Sequence, residues 1–221
     1  MTSEISYRLA TVDDHDELSV LLTKNFQHGE PFNRYWVNND PVPEDIEWSL
    51  KLLVEGTSFI AVDNVRSIIV GACLTGVDEA STTQNTLDEA NKTTHKKWAQ
   101  YLRLYARVDM NANIFGRFNV EKIFHVSALA VNDGYRERSI ATKLVEKSFE
   151  LATSQGYKLC SIYCSSFYTE RIAQKLKMEF VGEIAMDEIK DEKGERLTFP
   201  PPPHSHIRTY VKQLPAMINR V

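Results

Sequence analysis

The sequence lacks the features that would place the chain in a membrane or in an oxidising compartment. It contains no apolar run of the roughly 18 residues that a spanning helix needs. The opening residues, MTSEISYRLA, have neither the basic nor the apolar part of a signal peptide. The three cysteines are an odd number and form no disulfide framework. We therefore expect a cytoplasmic protein in which Cys73, Cys160 and Cys164 are reduced and buried.

Positive charge and metal ligands are also scarce. Lys and Arg number 26 against 30 Asp and Glu, which gives a net charge of −4 and argues against a nucleic-acid surface. The six histidines do not supply the further ligands that a metal site beside the cysteines would need, so we expect no metal. At 221 residues and 43% hydrophobic content, the chain is long enough for one buried core. We predict one domain over residues 1–221, monomeric or weakly dimeric.

A strand, a turn and a helix between Lys122 and Gly156 form the centre of the pattern. The apolar run from Ile123 to Val131 predicts a buried strand, and a polar loop with Asp133 and Gly134 follows it. Gly156 stands where a left-handed helix cap is expected. The helix between them carries an apolar face at 3.6-residue spacing, formed by Ile140, Ala141, Leu144, Val145, Phe149 and Ala152.

The start of this helix is a candidate anion site. The first N–H groups of a helix have no internal partners and carry partial positive charge, so they hold a phosphate where the side chains are small. Ser139 and Ala141 are small, and Arg136 and Arg138 add charge. The same pattern is also common in α/β structure that binds nothing, and the residues alone leave both interpretations open.

This segment resembles the cofactor motif of the GNAT superfamily of N-acetyltransferases, Gln/Arg-x-x-Gly-x-Gly/Ala, with Ser139 where the family has glycine. The resemblance implies a GNAT fold of the α/β (α+β) class: a central mixed, mostly antiparallel twisted sheet of about seven strands, with a splayed parallel pair and flanking helices. It also implies an acetyl-CoA-dependent acyltransferase without a metal. The implied cofactor-binding residues are Leu129, Ala130 and Val131 of the strand and Arg136, Glu137, Arg138, Ser139, Ile140, Ala141 and Thr142 of the loop and helix start.

The rest of the sequence predicts further strands and helices around this unit. We predict strands at 5–9, 58–63, 67–75, 159–164, 180–189 and 205–214, with the strand at 159–164 parallel to the one at 123–131. Aromatic residues recur at helical spacing between Trp98 and Tyr105; they fit a core, or the wall of an acceptor pocket. Residues 76–91 are polar and irregular, and we predict a flexible loop there.

Three further stretches resemble the insect arylalkylamine N-acetyltransferases. They are Glu30-Pro31 after the first helix, Ser165 to Thr169 after a strand, and Pro203-His204 before the last strand. The resemblance implies that the substrate is a small arylalkylamine such as dopamine, serotonin or tyramine. It makes Glu30 the general base, and Ser165 and Thr169 assisting catalytic residues. It places Pro31, Phe32 and His204 at the amine, which attacks acetyl-CoA directly in a ternary complex.

Each of these assignments has a plainer alternative. Glu30 would serve equally as a solvated loop carboxylate, and Ser165 and Thr169 as helix N-caps. His125, in the middle of a strand, fits packing better than catalysis. The acceptor is alternatively a polyamine, an amino acid or a peptide amine. A chain with Ser139 in the cofactor loop would also fit a non-catalytic acyl-CoA sensor, although the retained Glu30 favours an enzyme.

Overall fold

The computed structural model describes residues 4–27, 29–37 and 42–216, which form a seven-stranded mixed sheet. The strand order is β1-β2-β3-β4-β5-β7-β6, and every neighbouring pair is antiparallel except β4 and β5. This confirms the predicted fold class. The strands are β1 (Ile5–Leu9), β2 (Phe59–Asp63), β3 (Ile68–Glu79), β4 (Lys122–Val131), β5 (Leu159–Cys164), β6 (Glu179–Ala185) and β7 (His206–Gln213).

The helices are α1 (His15–Leu22), α2 (Pro31–Arg34), α3 (Pro43–Leu50), α4 (Thr82–Lys92), α5 (Lys96–Ala112), α6 (Ile114–Phe118), α7 (Ile140–Ser154) and α8 (Phe167–Lys175). One core cluster joins α7 and α8 to the sheet, and another joins α1 and α3 to it. The adjacent residues Ile60 and Ala61 fall in different clusters, because successive side chains of a strand point to opposite faces. No helix of the described residues is long and apolar enough to cross a membrane.

A bulge in β4 breaks the alternation of its side chains. Leu74 of β3 pairs with Ala128 and Thr75 pairs with Val126, so Ser127 is an extra residue. Val126 accordingly packs with the α7 cluster, whereas Ala128 packs with the α1 and α3 cluster. The bulge therefore turns the second half of β4 over relative to the first half.

The parallel pair is short and then opens. β4 and β5 pair only over Phe124 to Val126 and Cys160 to Ile162. Beyond Val126 the two strands continue without pairing, β4 beside β3 and β5 beside β7. The predicted splay is therefore present, and it begins immediately before the bulge.

Most predicted elements are found, with two corrections. The prediction of a flexible loop over 76–91 is wrong: β3 runs to Glu79, and α4 follows and packs on α5 through small buried residues, Thr86 and Ala90. The last strand before the proline segment ends at Ala185 rather than 189, because residues 186–188 form a 3₁₀ turn. The aromatic residues Trp98 and Tyr101 of α5 are core residues, as one of the two interpretations proposed.

Candidate active site

A cavity of about 620 Å³ lies where β4 and β5 separate. The end of β4 that no longer pairs with β5 forms one wall, and the loop before α7, the start of α8 and the segment before α2 form the others. Of the sequence-predicted site residues, the cavity lining includes Glu30, Leu129, Ala130, Val131, Arg136, Glu137, Ser139, Ile140, Ala141, Thr142, Ser165, Thr169 and His204. It does not include Pro31 or Arg138, and the side chain of Phe32 lies outside the described part of the chain.

The start of α7 has the geometry of an anion cradle. Its first helical hydrogen bond runs from the amide of Lys143 to the carbonyl of Ser139, at 3.0 Å. The three amides before Lys143 therefore precede the helical ladder and point out of the helix end. Ser139 is the N-cap residue, but its backbone is left-handed (φ +59°, ψ 17°) and its side chain makes no capping hydrogen bond.

The two arginines of the loop have different surroundings. Arg136 lines the cavity and forms an ion pair of 2.7 Å with Asp133. The guanidinium of Arg138 lies 5.0 Å from the centroid of the Tyr135 ring, outside the cavity lining. The Tyr135 hydroxyl donates a 2.7 Å hydrogen bond to Asp63 of β2. Arg138 and Tyr135 thus tie the loop to the sheet.

Glu30 is buried, with 6% of its surface exposed, and it begins a helix. Its backbone is extended (φ −77°, ψ 123°), as the following proline predicts, and Pro31 takes the first helical position. The backbone N–H of Asn33 donates a 2.7 Å hydrogen bond to Oε2 of Glu30. The alternative of a solvated loop carboxylate is therefore wrong, and the carboxylate has a fixed place in the cavity wall.

A second buried carboxylate, which the sequence did not indicate, lies beside this helix. Asp45 of α3 is 3% exposed and accepts hydrogen bonds from the Tyr105 hydroxyl (3.1 Å) and from Nδ2 of Asn33 (3.3 Å). Burial raises its pKa to about 6, against the lowering effect of these bonds and of Lys97. Asn33 therefore contacts both acids.

Two neighbouring serines at the start of α8 have different roles. Ser166 is the N-cap residue, and its Oγ accepts a 3.2 Å hydrogen bond from the amide of Tyr168. Ser165 does not cap the helix, and it lines the cavity with Thr169. Nδ1 of His204 accepts a 3.3 Å hydrogen bond from the amide of Phe167, and burial lowers the pKa of this histidine. His204 is therefore a neutral acceptor at pH 7.

A short backbone ribbon connects the segment of Glu30 to the segment of His204. Trp36 forms a bridge with Thr198, Val37 N–H donates to the carbonyl of Leu197 at 2.9 Å, and Phe199 N–H donates to the carbonyl of Tyr35 at 3.0 Å. Residues 35–37 and 197–199 thus form two short antiparallel arms. The ribbon holds the loop of His204 against α2.

His125 and the cysteines lie in the interior. Nδ1 of His125 is 2.8 Å from Oγ of Ser161 and 3.9 Å from Asp78, and burial lowers the pKa of His125 to about 4. It does not line the cavity, in keeping with a packing role. All three cysteines are free and buried. Cavity residues that the sequence did not indicate are Asn25, Phe26, Ser127, Tyr163 and Arg171; of these, Ser127 and Tyr163 follow the last paired residues of β4 and β5, where the two strands separate.

Comparison with known proteins identifies the fold and the family. No protein-family model matches the chain. A mosquito arylalkylamine N-acetyltransferase-like protein, 5b, superimposes with a TM-score of 0.91 at 30% identity, covering 96% of this chain and 100% of the other. A variant of an agmatine N-acetyltransferase gives a TM-score of 0.88 at 28% identity, with 95% and 99% covered. A Drosophila melanogaster polyamine N-acetyltransferase gives 0.88 at 27%, with 96% and 100% covered. The chain is therefore an acyltransferase that belongs to the insect arylalkylamine N-acetyltransferase family of the GNAT superfamily.

Proposed function

We propose that the protein transfers an acetyl group from acetyl-CoA to the primary amine of a small arylalkylamine, such as dopamine, serotonin or tyramine. One observation carries this proposal: a single cavity brings the Glu30 carboxylate together with the free helix start at Ser139 to Thr142 and with the hydroxyls of Ser165 and Thr169. These are the parts that amine acylation needs: a base, an anion cradle and polar hydrogens for a leaving group.

The residues of the cavity fit acetyl-CoA. The amides of Ile140, Ala141 and Thr142 precede the α7 ladder, and a helix start of this kind binds a diphosphate. Residues 129–131 of β4 pair with β3 but no longer with β5, so their open edge offers backbone groups to an extended chain, and Arg136 adds positive charge. Acetyl-CoA supplies the activated acetyl thioester when bound.

Glu30 is the proposed general base. An alkylamine with a pKa of about 10 has only ~10⁻³ of its molecules as free base at pH 7, so a proton must leave before or during attack. The buried carboxylate takes this proton, directly or through a water molecule. A backbone N–H of β4 near Ala128 or Leu129 then stabilises the oxyanion of the tetrahedral intermediate.

Ser165 and Thr169 are the proposed donors toward the departing thiolate. α8 carries Ala173 where many GNAT members have a tyrosine acid, and Ala173 is buried in the core. The cysteines are poor nucleophiles because burial raises the pKa of each thiol. Transfer therefore goes directly to the amine, without an acyl-enzyme.

The lining of the cavity supports an aromatic acceptor. Phe26, Tyr163, Tyr168 and His204 contribute aromatic rings to it. Among the described residues that line the cavity, the carboxylates are Glu30 and Glu137, and Glu137 lies in the loop before α7. At the amine end of the cavity, a second cationic group on the substrate would therefore find no lining carboxylate to pair with except Glu30, the proposed base.

The second candidate is a polyamine or agmatine acetyltransferase, favoured by the two similar structures of those activities. A panel of tyramine, dopamine, serotonin, agmatine and putrescine distinguishes the two by thiol release from acetyl-CoA. We expect the largest kcat/KM with an arylalkylamine. A preference for agmatine would select the second candidate. Binding of acetyl-CoA without thiol release from any amine would contradict both and indicate a sensor.

The Glu30→Gln variant tests the base. We expect kcat/KM to fall by about 10²-fold or more and the acidic limb of its pH profile to disappear. The amide oxygen of glutamine still accepts from the Asn33 amide, so the melting temperature should change little. An unchanged pH profile would assign the base elsewhere.

A further inference from the structure

Asp45 is a buried carboxylate without a part in the mechanism described above. It lies on α3, outside the lining of the cavity, and is 3% exposed. Tyr105 and Asn33 donate to its two oxygens. Burying a charge costs several kcal/mol even where hydrogen bonds compensate part of the loss. A neutral acceptor such as asparagine would serve the Tyr105 hydroxyl without that cost, so the charge itself needs an explanation.

The surroundings of Asp45 connect it to Glu30. Asn33 donates its backbone N–H to Glu30 at 2.7 Å and its side-chain Nδ2 to Asp45 at 3.3 Å. Both carboxylates also act on the same two phenols of α5, since the charges of Asp45 and Glu30 each raise the pKa of Tyr101 and of Tyr105. The two acids thus share one poorly solvated cluster.

From this geometry, and resting on the proposed role of Glu30 as base, we infer that Asp45 is a positioning residue that sets the basicity of Glu30. It acts in two ways. Its hydrogen bond to Asn33 fixes the first turn of α2, which carries Glu30. Its negative charge makes a second negative charge nearby unfavourable, so Glu30 binds a proton more strongly.

The direction of the effect follows from the charges. With Asp45 ionised, the proton that leaves the amine nitrogen is held more tightly on the Glu30 carboxylate, and the forward transfer is favoured. When Asp45 is neutral, Glu30 becomes a weaker base. The acidic limb of the rate profile then moves to lower pH, because Glu30 stays ionised further into acid.

The other charged and titratable groups around the cluster do not cancel this effect. On α5, Lys97 opposes the effect of burial on Asp45, whose pKa of about 6 leaves it mostly ionised at pH 7, and Tyr101 and Tyr105 are neutral at that pH, with pKa values raised further by burial. Arg136, Glu137 and His204 share the cavity lining with Glu30. None of them changes in an Asp45 variant.

The test is the pH profile of kcat/KM of the Asp45→Asn variant with one fixed amine, so that the titration of the amine is constant. We expect the acidic limb to move down by about one pH unit and the plateau to fall up to about tenfold. The matched control is Asp14→Asn, which removes another buried, hydrogen-bonded carboxylate at the start of the first helix. It should lower stability without moving the limb.

A charge-swap variant covers the case in which Asp45→Asn does not fold. Asn33→Asp combined with Asp45→Asn keeps one carboxylate and one amide in contact, so the limb should stand at or above its wild-type position. A limb that stays in place in Asp45→Asn, or that moves down in the swap variant, overturns the inference. If either of these results is found while Glu30→Gln loses the acidic limb, the inference about Asp45 fails and Glu30 remains the proposed base. Retention of the limb in Glu30→Gln would instead refute the proposed function.

Discussion

Glu137 and Ser139, which flank Arg138 in the loop before α7, both hold a left-handed backbone, with φ of +64° and +59°. Such a conformation costs a non-glycine residue about 1–2 kcal/mol. Alternating conformations of this kind turn successive N–H groups toward one side and form an anion-binding concavity. Ser139 therefore holds a left-handed backbone, which glycine would adopt without a steric cost, at the position where the resembling motif has glycine.

Ser139→Gly should stabilise the protein by about 0.5–1 kcal/mol. Relief of about 1–2 kcal/mol of backbone strain is offset by about 0.4–1 kcal/mol of added freedom in the unfolded chain. Urea unfolding measures the change, and calorimetry should show equal or tighter binding of acetyl-CoA. The control is Ala141→Gly in the same turn, which should destabilise by about 1 kcal/mol. A large loss of acetyl-CoA affinity in Ser139→Gly would mean that the hydroxyl itself contacts the phosphate.

Ser165→Ala and Ser166→Ala should separate catalysis from stability. Ser166 caps α8, so its loss should lower the free energy of unfolding by about 1 kcal/mol. Ser165 makes no cap, so Ser165→Ala should unfold like the wild type and show a reduced kcat. Steady-state kinetics and thermal unfolding of the two variants check this. If Ser165→Ala and Ser166→Ala lose the same stability and Ser165→Ala keeps its kcat, Ser165 has a structural role and no catalytic one.

His125 should make folding less favourable as the pH falls. Its folded pKa of about 4 lies below the unfolded value of about 6.5, so the unfolded chain binds the proton first. The stability contribution is lost between pH 6.5 and 4, by at most about 1.4 kcal/mol per pH unit. Asp78 and Asp109, whose pKa values are raised by burial, have the opposite effect over this range.

The variant His125→Asn isolates the histidine from these two acids. We expect the stability of the wild type relative to the variant to fall steadily from pH 6.5 to 4, as measured by urea unfolding at several pH values. A difference that does not depend on pH would show that folding leaves the pKa of His125 unchanged.

The cysteine thiols should not react in the folded protein. All three are buried, and the pKa of Cys73 is raised to about 12. A thiol reagent should therefore label the native protein very slowly and label three groups after unfolding. The result also matters for the amine panel, which detects released thiol. Fast labelling of a native cysteine would reopen the question of an acyl-enzyme.

The sequence predicted those parts of the structure that depend on local pattern. The apolar run of β4, the stripe of α7 and the extended backbone of Glu30 before Pro31 are each determined within a few residues. The prediction of a loop over residues 76–91 is wrong because polarity alone does not distinguish a loop from a helix such as α4, which buries only small side chains. Asp45 was missed for another reason: its partners Asn33 and Tyr105 come from distant parts of the chain.

The ribbon between residues 35–37 and 197–199 has a consequence for how substrate range can diverge in this fold. One arm continues from the helix of the proposed base, and the other leads to His204 at the proposed acceptor wall. An insertion in either arm would break the bridge of Trp36 and Thr198 and displace both groups together. New amine preferences are therefore expected to arise by exchange of side chains on fixed arms, with loop length held constant.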